Sequence, residues 1–326
     1  MKASVVSVGD ANVDLIAPVP FFPEKGGEVL IDRLETRAGG SAANLSVAVS
    51  RLGLMSGFIG RVGNDSFGRF LTNEFKKEKV NISQLQVDEE IGTGLTFILV
   101  TQDGERTMFC FRGANVHLSP DEIDINNIRG KDVLHISGYS LLRGPQRKAA
   151  LKALELAKKE GVLVSFDAGV YPAMKATDLV LSTIKSVDLL FLNELEAASL
   201  TGIKNPEKSA KRALKLGPNV VAMKLGKGGC LILTEEEKIF SPAFNIKVVD
   251  TTGAGDAFDA GFLAGIIEGL DIKMAARFAN AVGALSTMKV GARSALPNRW
   301  KVERFLRRFG NAESYPKMDT KQPGAK

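Results

Sequence analysis

Short apolar runs bounded by glycine or aspartate alternate with stretches of helical periodicity, and this alternation constrains the fold more than any single motif. Residues 4–10, SVVSVGD, form a β-branched run ending on glycine, which predicts a buried strand followed by a loop. SAANLSVAVSRLG places small and apolar residues at helical spacing and closes on Gly53, a C-cap signal. MSGFIGRVG returns as a strand, and DSFGRFLTNEFKKEKV predicts an amphipathic helix with Phe67, Phe70, Leu71 and Phe75 on one side. The rhythm continues with strand DVLHIS, helix GPQRKAALKALELAKKEG, strands VLVSFD and DLLFLN, and helices ELEAASLTG and PEKSAKRALKLG. Strand VVAMKLG, a hairpin over GCLILTEEEKIFSP and two more helices close the chain. Parallel strands need crossovers, and helices supply them. The pattern therefore predicts an α/β protein with a mainly parallel central sheet and helices on both faces.

Two stretches interrupt the alternation. Residues 14–40 and 93–115 show no helix pattern, and the second reads as two alternating strands about a QDGER turn. Together they predict a small antiparallel flap, a β-sheet lid drawn from about 12–38 and 92–114. Gly39 and Gly40, where flap meets core, are either a hinge or simply a turn. With no repeat or linker in view, residues 1–310 are expected to form one domain, followed by a basic, flexible tail over 311–326.

Composition narrows the function classes. The net charge of +6 is concentrated at the end: Arg299 to Lys326 carries eight Lys/Arg against three Asp/Glu. A basic terminal segment is more often a solvated helix and frayed end than a binding arm, so no nucleic-acid partner is expected. No apolar run reaches the ~18 residues of a membrane span, and a cytoplasmic location is expected. Cys110 and Cys230 lack CxxC spacing and are expected to be small buried residues in a reducing compartment. His117 and His135 have no neighbour at metal-ligand spacing and read as structural.

The chemistry concentrates in VVDTTGAGDAFDAGF, residues 248–262. Phe258, Phe262, Ile266 and Leu270 recur four apart, predicting a buried helix. Gly253, Ala254 and Gly255 leave backbone N–H groups bare at its start, where the helix dipole favours an anion such as phosphate. Asp256 stands inside that turn, so a base and an anion hole could share it. Asp259 is readable as an ordinary N-terminal helix carboxylate. Neither a phosphate-binding GxxxxGK[ST] loop nor a GxGxxG turn is present.

These residues resemble a known family. DTTGAGDAF is similar to the C-terminal motif of the ribokinase-like (PfkB) carbohydrate kinases, and GGSAAN with VAVSRLG to their N-terminal motif. The resemblance runs from residue 4 to about 310 and implies a ribokinase-like fold with a β-lid over the sugar. It implies ATP-dependent phosphorylation of a hydroxymethyl group on a small sugar, with ATP and Mg²⁺. Asp256 then matches the general base, and Gly253, Ala254 and Gly255 the anion hole. Asn12, Asp14, Gly39, Gly40 and Asn44 match the sugar set; Phe97 and Arg112 on the flap are further candidates for sugar contact. Asn193 and Glu196 of NELE match the phosphate and Mg²⁺ side. Lys224, Gly226 and Gly229 of KLGKGG, with Asn280, match the nucleotide side. Asp250, Thr252, Ser286, Lys289, Gly291 and Ala295 match a monovalent-cation site for K⁺. A homodimer through the lid occurs in parts of the family.

The substrate is less sharply marked. LTFILVTQDGERTMFCFR resembles the fructokinase lid, whereas GANVHLSPDEI and GARSALP lean toward ribokinase and nucleoside kinase sequences. A nucleoside kinase, a 2-keto-3-deoxygluconate kinase and a non-catalytic sugar-binding regulator stand as alternatives.

Overall fold

The computed structural model describes residues 4–309. The expected tail, 311–326, lies outside the described residues. Nine strands form the main sheet: β1 (Ser4–Val8), β4 (Met55–Gly63), β5 (Asn81–Asp88), β8 (Val133–Ser137), β9 (Leu163–Asp167), β10 (Leu189–Asn193), β11 (Val220–Lys224), β12 (Cys230–Leu233) and β13 (Lys238–Ser241). Their order is β13-β12-β11-β10-β9-β8-β1-β4-β5. Pairing is parallel throughout except at the β11–β12–β13 edge, which is antiparallel.

The central strands are buried on both faces, and their side chains divide between two cores by simple alternation. In β10, Leu189 and Phe191 face one core while Leu190 and Leu192 face the other. The first core is built on α1 (Ser41–Arg51), α2 (Ser66–Lys77), α8 (Ala254–Ile267), α9 (Ile272–Ser286) and α10 (Arg299–Phe309). The second is built on α3 (Gly144–Lys159), α4 (Val170–Lys175), α5 (Thr177–Ile184), α6 (Glu194–Thr201) and α7 (Pro206–Leu214). One core per sheet face is the three-layer arrangement that the alternation predicts.

The second sheet has the order β3-β2-β6-β7, from β2 (Asn12–Pro18), β3 (Glu35–Gly39), β6 (Gly94–Val100) and β7 (Arg106–Phe111). It is mixed rather than antiparallel throughout, because β2 and β6 pair in parallel at its centre. One of the two segments that form it follows β1 in the chain and the other follows the edge strand β5. Chain order along the main sheet reverses between β1 and β8, and a crevice opens beyond carboxyl strand ends at such a point. Asp10, Asp167, Asn193 and Lys224 all stand at carboxyl ends of these strands. The small sheet therefore sits where the crevice needs a cover.

Candidate active site

Asp256 lies in the first turn of α8, behind Gly253, which takes a left-handed φ of 74° as the cap. A side chain there would press on Ala292, so glycine serves both conformation and space. Asp256 is answered from α1: Ser41 Oγ donates to its Oδ1 at 2.7 Å and Asn44 Nδ2 to its Oδ2 at 2.8 Å. Burial raises its pKa to about 6, against the lowering effect of those two hydrogen bonds. Among the described residues the N–H groups of Gly255 and Asp256 have no hydrogen-bond acceptor, and no side chain caps the helix. A half-buried carboxylate and open amides thus share one turn.

On the lid side, Asp14 is largely buried and lies beside Thr96, its cross-strand partner. Burial raises its pKa to about 6, with Asp256 close enough to push it further. Asn12 Oδ1 accepts from Asn115 Nδ2 at 2.8 Å. Gly39 faces Asp14 so closely that a Cβ would overlap the carboxylate. Gly40, at φ 96°, turns β3 into α1, so the turn reading of the glycine pair accounts for its geometry. Asn44 ties the two sides together, since its Oδ1 accepts from Arg293 Nε at 3.0 Å and Arg293 Nη2 donates to the Gly39 carbonyl. Arg293 is buried, and burial lowers its pKa to about 10 despite the neighbouring Asp14.

Arg112 pairs with Asp10 through Nε at 2.9 Å and Nη2 at 2.8 Å, and Gln146 bridges the same carboxylate at 2.6 Å. Sequence reasoning missed Ser41, Asp10, Asn115 and Arg293. Ser41 lies inside GGSAAN and Asp10 ends SVVSVGD, so both were within reach. Arg293 is a single cation in an irregular stretch, with no periodicity to mark it.

The other side of Asp256 opens into a hollow of about 710 Å³ whose lining includes Lys224, Gly226, Gly229, Phe244, Gly255 and Asn280. Lys224 Nζ donates to Asp167 at 3.2 Å and to Asp259 at 3.1 Å, and those carboxylates hold its pKa up in spite of burial. Asp259 is therefore a buried ion-pair partner and not merely a helix-start carboxylate. Asn193 and Glu196 form a reciprocal capping box at α6, with Asn193 Oδ1 accepting from Glu196 N at 2.9 Å. Burial lifts Glu196 to about 7, with Asp167 raising it further. Asn280 Nδ2 donates to the Ser241 carbonyl at 2.9 Å, presenting the wall of the hollow.

The loops bearing the expected cation residues meet. Asp250 Oδ2 accepts from Gly291 N at 2.8 Å, and Asp250 Oδ1 from Thr252 N at 2.9 Å. Ala295 N bonds the Gly291 carbonyl at 3.2 Å, Ser286 is buried and bonds the Gly283 carbonyl, and the Lys289 side chain is exposed. From the lid, Arg106 reaches Asp250 Oδ1 at 3.2 Å and also Thr252 Oγ1.

Two expectations are overturned. Phe97 was expected at the sugar, but register places it opposite Leu15 and Phe109, on the sheet face away from Asp14 and Thr96. Cys110, expected to be buried, is exposed on β7 opposite Thr96, because β7 is an edge strand. Cys230 is buried as expected. His135 is fully buried against Ser165 Oγ and burial lowers it to about 4; His117 is exposed. Among the described residues no group of three or more His, Cys, Asp and Glu is placed to hold a metal.

Residues 2–299 match the pfkB family carbohydrate kinase pattern. Fructokinase-2 of Zea mays is 34% identical over 310 residues, covering 90% of this chain and 91% of its own. The crystal structure of a ribokinase from Thermotoga maritima superposes with a TM-score of 0.83 at 30% identity, covering 94% of this chain and all of that one. An Arabidopsis thaliana ribokinase solved with ribose and ATP gives a TM-score of 0.84 at 26% identity, over 94% and 99% of the two chains. Fold and crevice define an α/β phosphotransferase with a lid. The chain belongs to the pfkB family of carbohydrate kinases and is an ATP-dependent sugar kinase of ribokinase-like fold.

Proposed function

We propose that the chain transfers the γ-phosphoryl group of ATP to a hydroxymethyl group of a fructose- or ribose-type sugar, with Asp256 as general base. One observation carries the reading. Asp256, fixed by Ser41 and Asn44, shares its helical turn with unpaired N–H groups and lies within electrostatic reach of Asp14. On this reading Asp14, Asn12, Gly39, Gly40 and Asn44 hold the acceptor. Asp256 takes the proton from its hydroxyl while the turn of Gly253, Ala254 and Gly255 receives the phosphoryl oxygens. Lys224, Gly226, Gly229 and Asn280 line the ATP side; Gly255 leaves open the space above Lys224 Nζ that a Cβ would enter.

The buried acids Glu196 and Asp167, only partly neutralised by Lys224, suit Mg²⁺ held through water beside Asn193. Bound there, Mg²⁺ would neutralise phosphate charge. K⁺ is assigned to the joined loops of Asp250, Thr252, Ser286, Lys289, Gly291 and Ala295. Arg106 already brings one cation to Asp250. The exposed outer face of the lid, with Phe97, Phe109 and Phe111, suits a homodimer. Two cysteines without a disulfide suit the cytoplasm, and among the described residues no helix is long and apolar enough to cross a membrane.

A coupled ADP-release assay across D-fructose, D-ribose and nucleosides tests the substrate reading. Highest kcat/KM on a free sugar is expected, and turnover confined to nucleosides would overturn it.

A further inference from the structure

We propose that Arg293 is a positioning residue of the phosphoryl transfer: it fixes the amide of Asn44 so that Nδ2 faces Asp256, and it pins that amide to the turn where β3 meets α1. The inference deepens the proposed reaction and rests on Asp256 acting as its base.

Arg293 lies in the irregular stretch between α9 and α10, yet its side chain is buried. Its seat is built by other elements. Arg51 of α1 donates from Nη1 to the Arg293 carbonyl at 2.8 Å and to the Leu296 carbonyl at 2.7 Å, which holds the backbone. The ring of Phe75 on α2 lies 5.0 Å from the guanidinium carbon, and Phe58 stacks on that ring at 4.8 Å. From this seat Nε donates to Asn44 Oδ1 at 3.0 Å and Nη2 to the Gly39 carbonyl.

The bond to Asn44 decides which way the amide points. An asparagine offers a carbonyl oxygen at one end and two N–H donors at the other. With Arg293 donating to the oxygen, the N–H end is left for Asp256, whose Oδ2 accepts it at 2.8 Å. The reversed amide would set its donors against a guanidinium and its oxygen against a carboxylate, losing both bonds. Among the described residues Asn44 Oδ1 has no other donor.

Stability does not account for this arginine. Among the described residues no carboxylate forms an ion pair with it, and its Nη1 is buried with no hydrogen-bond partner. A buried charge and a buried idle donor both cost stability, and an apolar side chain of similar length would avoid both. The acids within its electrostatic reach are Asp14 on β2, Asp256 on α8, and Glu74 and Glu78 at the end of α2. Glu74 and Glu78 are spent on Lys77 and Arg51. Asp14 and Asp256 remain, the two carboxylates of the proposed acceptor pocket.

The test is a double-mutant cycle on the full chain, with D-fructose and D-ribose as acceptors and saturating ATP and Mg²⁺. Wild type, Arg293→Met, Asn44→Ala and the double variant are compared by kcat and KM, with urea unfolding as the check on fold. Should Arg293→Met fail to fold, Arg293→Lys, which keeps the charge without the planar fork, takes its place in the cycle. Arg293→Met is expected to lower kcat roughly tenfold or more while its urea midpoint holds or rises. The double variant should lose no more than Asn44→Ala alone, because both changes act through one amide. Losses that multiply, a loss confined to KM, or an unchanged kcat in Arg293→Met overturn the proposal. So does a loss recovered by raising potassium, which would place the effect in the loop of Gly291 and Ala295. The side-chain amide signal of Asn44 in ¹⁵N spectra, assigned by its disappearance in Asn44→Ala, gives a readout without turnover. It should move in Arg293→Met, and an unmoved signal also overturns the proposal. Failure of the base reading appears separately, as full turnover in Asp256→Asn with the Asn44 signal still dependent on Arg293.

Discussion

In the proposed reaction Asp256 depends on two side chains of another helix. Ser41 and Asn44 hold both oxygens, while burial keeps the carboxyl near 6 instead of about 4. A base works only when deprotonated, so log kcat/KM should climb with pH up to about 6 and level off above it. Asp14, also raised to about 6, should make the acid limb steeper than a single ionisation. A profile unchanged between about pH 5 and about pH 8 would exclude both assignments. Asp256→Asn is expected to lower kcat at least ~100-fold with little change in sugar affinity, as single-turnover kinetics and calorimetry would show. The stability sign runs the other way. A carboxyl whose folded pKa is raised contributes most below its unfolded value, and that contribution is lost as pH rises through about 6. Hence at neutral pH Asp256→Asn should hold or raise the Tm while activity falls, as thermal unfolding would report.

At the scale of elements, α8 and α9 show why small residues follow the turn that bears Asp256. Gly261 lies so close to α9 that a Cβ would stand 2.9 Å from the Ala279 Cα, and one on Gly265 would stand 3.0 Å from the Ala275 Cα. Gly261→Val should therefore destabilise by about 2 kcal/mol, read as a lower urea midpoint at unchanged m-value. It should also reduce kcat, since moving α8 moves Asp256. The buried strands and long helices were legible because their apolar residues recur with a fixed period. Strand β5 was not, since NISQLQVD is a largely polar edge with little apolar alternation. Helices α4 and α5 were missed because α4 is 6 residues long with Pro172 inside it, and α5, unlike the equally short α6, has no side-chain cap to mark its start. Helices that short draw their stability from the core they cover, not from their own sequence.

For the whole molecule, the lid is where local reading and global outcome diverge most. Alternation correctly foretold the two strands of the second interrupting segment but not the parallel β2–β6 seam, which sets Asp14 beside Thr96 and turns Phe97 outward. That outward face, with Phe109 60% exposed, supports the proposed dimer, and light scattering on Phe109→Asp should show a shift to monomer. A wild-type chain monomeric at all concentrations would remove the dimer. The proposed K⁺ dependence also belongs to this scale, since its loops, joined by Asp250 and Gly291, come from distant parts of the chain. Activity should be higher in potassium than in tetramethylammonium buffer, and equal rates would discard the site.

By itself the sequence determined the succession of strands and helices and the carboxylate among glycines, because periodicity and backbone conformation are local properties of neighbouring residues. Only the tertiary structure decided which side chains meet. Ser41 and Asp256 are 215 residues apart, Arg112 and Asp10 are 102 apart, and Arg293 and Gly39 are 254 apart. Such pairs arise from the packing of two layers onto one sheet, and no local pattern along the chain encodes them.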